Sequence, residues 1–480
     1  MTAIALRQIQ NAVKNKYTPN EIADEIERRH RFATLIQSED VLIYENGRYV
    51  ENGESVIQSE TEILEPECTN QFCKEVSGHI KRSTFRQRQE FDKDDRIINV
   101  ANGLIDITNG KLSPHTSNYL SRRQLPIEYD PKARCPGIMA FLNEVTLDPE
   151  DKRALLEHAA YVLIRSNFLQ KAFLYVGEGA NGKSTWFKIL MALVGAENVV
   201  SESIHDLETN RFACASLDGK LVNLYADVNA TELSHTGRLK LLISGDSIRA
   251  EKKHKPVFTL YNHCKLFFSA NQLPQVQDLT DAWLRRWIIL TWRRKFENEN
   301  QDRTLIENLT TPGELSGLLN VLVALAKRLL QTRTLSYEPT AQQVRAEWIL
   351  KADIMQAFLS SEVKVENGSY VSKTELYQKY VDWSITKHFA PKGRRSFNEA
   401  VQAKLPVREN WVKPGGRGGK TVRVWRDIAL NASSSTRSTE SNARISSKPD
   451  KIKGREVEKE SQANCGNRGT LEDFSEPIGE

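Results

Sequence analysis

The chain has 480 residues, of which 39% are hydrophobic and 27% charged. That is more chain than one hydrophobic core organises and too apolar for wholesale disorder, so two or three folded domains are expected. A formal net charge of +5 over this length names no partner by itself, and a nucleic-acid reading must rest on where the basic residues cluster.

Taken in chain order, residues 1–130 read as an α+β accessory region. They contain a charged helix over 21–31, a hairpin over 41–50 turned at Asn46-Gly47, and a strand pair over 97–112 broken at Asn102-Gly103 and Asn109-Gly110. Residues 131–170 carry apolar positions at helical spacing over 138–145 and 152–165. From 171 to 335, short apolar strands at 172–176, 221–225 and 266–268 alternate with helices, and a helix over 314–331 closes the segment. This is the pattern of a parallel sheet in an α/β nucleotide-binding core. Residues 352–428 combine helices at 373–388 and 395–403 with strand-like stretches flanking the glycine-rich segment 414–419, a winged-helix-like arrangement. The Ser-, Lys- and Glu-rich segment 431–480 has too few apolar residues to build a core and is expected to stay a disordered polar tail.

The 6 cysteines, Cys68, Cys73, Cys135, Cys214, Cys264 and Cys465, show no disulfide-framework spacing. No basic-then-apolar leader follows Met1, so a reducing cytoplasm of a host cell is the expected compartment. Cys68, Cys73 and His79 lack the spacing of a zinc ribbon and a nearby fourth ligand, and they read as ordinary thiols and an ordinary imidazole. The longest apolar stretch, about 315–326, is shorter than the roughly 20 residues that cross a bilayer, so no membrane partner is expected.

The strongest chemical signal is Gly177-Glu178-Gly179-Ala180-Asn181-Gly182-Lys183-Ser184, followed by Thr185, between an apolar strand and a helix. Glycines let consecutive backbone N–H groups face phosphates, and the amino end of the next helix adds to that field. Lys183 is then placed to reach the β- and γ-phosphates of ATP, with the Ser184 hydroxyl as a magnesium ligand. Hydrolysis needs a carboxylate at the end of a neighbouring strand, and Asp227 after 221–225 is the candidate, also as a metal ligand. Asn271, ending 266–270, offers an amide suited to orienting the attacking water.

The order GEGANGKST, LVNLYADVNA, LKLLISGDSIRAEKKHKP, KLFFSANQLP, DAWLRRWIIL resembles the superfamily 3 helicases of phage and plasmid primase-helicases. The upstream VANGLIDITNG and LPIEYDPKARCP resemble the domain that precedes the helicase in that group. The likeness covers about residues 96–292, with a looser match on to 428. It implies an AAA+-like P-loop ATPase core, a hexameric ring with ATP sites between subunits, and translocation on single-stranded DNA, usually 3′ to 5′. In this resemblance Lys183 and Ser184 are the phosphate-loop pair, Asp227 the second acid, and Asn271 the first sensor. Arg285 and Arg286 occupy the place of an arginine finger, and the sequence does not choose between them. Where many relatives carry two adjacent acids, this chain has Ala226-Asp227, which puts a division of labour between a metal carboxylate and a base in doubt. Asp246, in Ser-Gly-Asp, reads mainly as a turn residue.

The basic run Lys252-Lys253-His254-Lys255, between strand-like segments, resembles the family's pore hairpin, with lysines for sequence-indifferent phosphate attraction. A second basic surface, Lys392, Arg394, Arg395, Lys413, Arg417, Lys420 and Arg423, lies in the carboxy-terminal unit and would suit duplex DNA or a protein. The expectation is therefore an ATP- and Mg2+-dependent replicative helicase of a virus- or plasmid-type element, acting on single-stranded and forked DNA. The rival is a replication initiator in which ATP switches assembly without processive unwinding. Too few residues precede Arg96 for a priming domain, so a separate primase or initiator is an expected partner.

Overall fold

The structure, a computed structural model, describes residues 16–296, 304–387, 391–413 and 420–431. The tail expected beyond Asn431 and the glycine-rich segment 414–419 lie outside the described residues. Among the described residues, the first element of the amino-terminal region is helix Pro19–Arg29, set by a capping box. The Thr18 hydroxyl accepts from Glu21 N at 3.3 Å, and the Glu21 carboxylate accepts from Thr18 N at 2.8 Å. Strands β1 (Phe32–Leu35), β2 (Val41–Glu45) and β3 (Arg48–Val50) follow. The β2–β3 turn is the expected Asn46-Gly47, with φ of 49° and 91°, as a two-residue hairpin turn requires. Helices Gly53–Leu64 and Asn70–Ser83 pack with the first around Ile22, Ile26, Ile57, Val76 and Ile80. Strand β4 (Phe85–Arg86) then pairs in parallel with β1.

The strand pair expected over 97–112 is a three-stranded meander, β5 (Ile97–Val100), β6 (Gly103–Asp106) and β7 (Lys111–Ser113), because each of the two Asn-Gly dipeptides reverses the chain. Its apolar residues Ile98, Val100 and Ile105 join a large core with helices Pro136–Val145, Pro149–Val162 and Pro312–Thr332.

The central sheet contains β8 (Ala172–Val176), β9 (Val199–Val200) and β10 (Val222–Tyr225). The antiparallel hairpin β11 (Ser247–Ala250) and β12 (Phe258–Tyr261) stands apart from it, before β13 (Lys265–Ala270) and β14 (Trp287–Thr291). Its order is β14-β8-β13-β10-β9 and every pair is parallel, so all five strands end at one edge. β8 and β13 are buried along their whole length, as strands covered on both faces are. Phe173 and Tyr175 feed one core while Ala172, Leu174 and Val176 feed the other, which is the two-residue period of a strand. β14 and the two-residue β9 were not anticipated.

Helix Ala341–Ala352, in the gap between the expected domains, belongs to the sheet side. Trp348 packs edge-on to Trp283 and Trp287 at 5.7 and 5.4 Å. Beyond it come helix Ile354–Glu362, β15 (Val363–Ser372), helices Lys373–Thr386 and Arg394–Lys404, β16 (Arg408–Val412) and β17 (Val422–Leu430). The three strands form an antiparallel sheet, β15-β17-β16, over a core of Phe358, Tyr380, Phe397 and Trp425. β15 escaped the sequence reading because Asn367-Gly368 looks like a turn; a register shift between Val365 and Tyr370 absorbs it.

Candidate functional site

At the carboxyl edge of the central sheet, β8 runs into the glycine-rich loop. Gly177 N donates to Ala270 O at 3.2 Å, tying the loop entrance to the end of β13. A Cβ on Gly177 would lie 2.4 Å from the Trp292 carbonyl oxygen, and one on Gly182, whose φ is +93°, would lie 2.6 Å from Val145 Cγ1. Glycine is therefore required at both places. Nothing lies within 4 Å of where a Gly179 Cβ would be, so the loop is open there. Helix Lys183–Val194 starts immediately after Gly182. The Lys183 ammonium is buried and donates to the carbonyls of Gly177 (2.6 Å) and Glu178 (3.2 Å) and to Asn181 Oδ1 (3.1 Å). Burial lowers its pKa to about 8, and the Asp227 carboxylate opposes that shift.

Asp227 follows β10, and its neighbour Val228 N donates to Ser269 O of β13 at 2.8 Å. Asn271 is the residue after β13. Both are exposed, as is Ser184. The sheet thus brings the predicted Lys183, Ser184, Asp227 and Asn271 to one edge. Asn181, within the predicted loop, has a buried side-chain Nδ2 without a hydrogen-bond partner among the described residues. A loop of left-handed turns at a helix start, a cation, an exposed hydroxyl and an unpartnered donor fit a polyphosphate with a divalent cation.

Arg285 and Arg286 sit at the other edge. Ala172 N donates to Arg286 O at 2.8 Å, so the pair stands at the amino end of β8, a strand length from the loop. The two side chains differ. Arg286 is buried, with Nε and Nη2 donating to Ser244 Oγ at 3.1 and 2.8 Å and Nη1 donating to Ala282 O. Burial, then the charge of Arg285, lowers its pKa. Arg285 is exposed; its backbone N–H donates to Asp281 O at 3.0 Å and its carbonyl accepts from Lys171 Nζ at 2.7 Å.

The basic run forms the tip of the β11–β12 hairpin. Lys253 and His254 are exposed, and His254 takes a φ of 62°. Lys252 is paired instead with Asp40 (3.4 Å) and Glu51 (3.2 Å), and Lys255 with Asp40 (3.2 Å). Thr259 N donates to Gln37 Oε1 at 3.2 Å. The tip is thus held by the β1–β2 turn, where Gln37 and Glu39 have φ of 83° and 54°. Burial works to raise the Asp40 pKa, but Lys252 foremost and Lys255 hold it below the ordinary carboxylate range. Nothing in the sequence linked Asp40 to position 252.

In the carboxy-terminal unit, Arg394 lies over Tyr377 (5.2 Å), Arg423 over Trp411 (4.7 Å), and Arg395 pairs with Glu399 (3.0 Å). Arg417 lies outside the described residues. Cys68 and Cys73 bring their sulfurs to 3.3 Å, and burial, then the neighbouring thiol, pushes the Cys68 pKa up to about 11. Among the described residues, no helix is long and apolar enough to cross a membrane.

Residues 6–147 match the family model described as D5 N terminal like, and residues 175–286 match DUF5906, a family of unknown function. Over 350 residues the chain is 22% identical to "Putative helicase L207/L206" of Acanthamoeba polyphaga mimivirus, covering 66% of this chain and 36% of that protein. Over 360 residues it is 21% identical to "Putative helicase 121R" of Invertebrate iridescent virus 3, covering 66% and 38%. The chain therefore spans little more than a third of the length of these curated relatives. The apo structure of the NrS-1 C-terminal region aligns with a TM-score of 0.42 at 13% identity, over 86% of this chain and all of that one. The chain is similar to viral proteins named as helicases and carries a D5-like amino-terminal segment.

Proposed function

We propose that this chain is the motor subunit of an ATP-driven DNA helicase in replication of a virus- or plasmid-type element, with an AAA+-like core of the superfamily 3 kind. One observation carries the reading: an all-parallel sheet, in which β8 lies between β14 and β13 and runs into the glycine-rich loop, brings Lys183, Ser184, Asp227 and Asn271 to the same edge. Magnesium there would be held by Ser184 Oγ and Asp227 and would supply charge neutralisation on the phosphate oxygens. Lys183 exchanges the loop carbonyls it now bonds for phosphate oxygens, Asn181 Nδ2 adds a donor, and Asn271 orients water. Arg285, exposed and at the opposite edge, cannot serve its own loop; it serves that of an adjacent subunit. This favours a closed ring, six-membered by resemblance, in which Arg286 is a packing residue. Lys253 and His254, the tip residues left unpaired by the amino-terminal region, contact the strand being moved, in the 3′ to 5′ sense. The carboxy-terminal unit acts as a winged-helix-like DNA-binding domain.

The test is phosphate release from ATP by the purified chain, with and without single-stranded oligonucleotide, beside displacement of a strand from a forked duplex. Turnover stimulated by single strands and coupled to displacement is expected. Absence of any nucleoside-triphosphate turnover would end the proposal, and turnover indifferent to DNA without displacement would favour the ATP-switched initiator.

A further inference from the structure

Between the amino-terminal region and the base of the β11–β12 hairpin lies a small, open cleft. It is on the side of the sheet away from the glycine-rich loop. Its lining includes five basic side chains, Arg88, Arg122, Arg123, Arg165 and Lys220, and two acidic ones, Asp92 and Asp218. Both acids are already committed. Buried Asp218 accepts from Arg88 and, at 3.2 Å, from Arg122, while Asp92 pairs with Arg123 at 3.2 Å. Among the described residues, Arg165 forms no ion pair, although the charges of Asp92 and Asp95 act on it, and Lys220 Nζ donates to the Glu197 carbonyl at 2.5 Å.

Beneath the cleft the excess of positive charge continues. Lys265 is buried, its ammonium held by the carbonyls of Arg165, Ser166 and His263 at 3.0, 3.0 and 3.2 Å and by Asn167 Oδ1 at 2.6 Å, with the Asp95 charge acting on it against the burial. His263, in the lining, has a buried Nδ1 without a hydrogen-bond partner among the described residues. Burial first, then Arg165, Arg123 and Lys265, pushes its pKa down to about 2, so its ring adds no charge. Cations gathered out of water need counter-charge, and a buried polar atom needs a partner. An anion seated here would answer both needs. At the mouth, Tyr261 leaves 43% of its surface exposed, an aromatic face beside the basic wall.

We infer that this cleft is a second nucleic-acid site, in which Arg165 and Lys220 hold phosphodiester groups of a single strand and Tyr261 stacks on one of its bases. Phosphate attraction next to an aromatic platform is how single strands are held without sequence preference. The inference rests on reading the chain as a DNA-handling protein but needs no hydrolysis. It places a fixed grip behind the hairpin tip.

The experiment measures fluorescence anisotropy of a labelled oligothymidylate with the full chain, in the absence of nucleotide and across a salt series. Arg165→Ala is expected to weaken binding about tenfold and to lower the slope of log affinity against log salt by about 0.7, the share of one single-strand phosphate. Tyr261→Ala, at an exposed position, is expected to weaken the oligothymidylate about fivefold or more and to leave an abasic strand of equal length unaffected. Either folded variant binding the oligothymidylate as tightly as the parent overturns the inference. So does a loss, in Arg165→Ala on a Lys183→Ala background, of fluorescent ATP-analogue binding with strand affinity intact, which would assign the cleft to free nucleotide. Strand binding that responds as expected in a chain that never hydrolyses ATP would retire the motor proposal and leave the cleft standing.

Discussion

At the carboxyl edge of the central sheet, Lys183 is fixed by partners at most six residues away, whereas at the amino edge Arg286 is fixed from 42 residues away and Lys252 from 201 and 212. The first edge is a local device, a strand end, a turn and a helix start. The second is an assembly of long-range contacts, a hydroxyl from Ser244 for Arg286 and, for Lys252, ion pairs that exist only when the amino-terminal region is docked on the hairpin. Substitutions far from the motor, at Asp40, Glu51 or Asp218, are therefore expected to act on strand handling and stability, not on the phosphate chemistry.

The sharpest way to break this contrast is to separate the two adjacent arginines. Arg285→Ala should lower ATP turnover by about 10³-fold at unchanged melting temperature, as loss of a finger supplied by a neighbour does. Arg286→Ala should lower the melting temperature by removing the guanidinium that holds Ser244 and Ala282. Equal turnover in Arg285→Ala and the parent would show that the amino edge contributes nothing to hydrolysis. Next in size, Lys183→Ala is expected to cost about 10²-fold in phosphate release while leaving oligonucleotide affinity without nucleotide unaltered. A parallel loss of strand binding would mean that the two edges are not independent.

Asp218→Asn strands Arg88 and Arg122 without their shared carboxylate and should cost about 3–5 kcal/mol in urea unfolding at neutral pH. Burial works to raise the Asp218 pKa, but Arg122 and then Arg88 hold it below its ordinary 3.8. The unfolded chain therefore takes up the proton first as pH falls. The stabilisation is complete above the ordinary carboxylate value and is lost as pH drops through the lowered one. The parent should lose stability below about pH 4 more steeply than Asp218→Asn; identical acid limbs would remove the ion-pair account of the docked region. The smallest effect belongs to Asp40→Asn, which releases Lys255 and leaves Lys252 with Glu51 alone. Because such partly exposed pairs are worth about 1 kcal/mol or less, oligonucleotide affinity should rise by no more than about fivefold, with a steeper salt slope. Weaker binding would show that the docked tip is itself the strand-competent form.

The glycine-rich loop, the strands before Asp227 and Asn271, the Asn46-Gly47 turn and the helices at 136–145, 312–332 and 373–386 were readable in the sequence. Each rests on a short-range cause, a backbone angle only glycine tolerates, a two-residue alternation or a helical repeat. The meander's third strand, β14, β15 and helix Ala341–Ala352 were not, since their places depend on partners supplied from elsewhere. Trp348 is an ordinary aromatic until Trp283 and Trp287 stand beside it, and β14 is one apolar run among several until β8 pairs with it.

By itself the sequence carried the phosphate-loop reading of one edge, because such a loop is written in consecutive residues. Only the tertiary structure decided that Arg286 is buried while Arg285 is free to reach outward, that half of the basic hairpin tip is already neutralised by Asp40 and Glu51, and that five basic side chains meet in one cleft. Burial and ion pairing depend on which distant groups arrive within a few ångströms, and no local pattern of residues encodes that arrival.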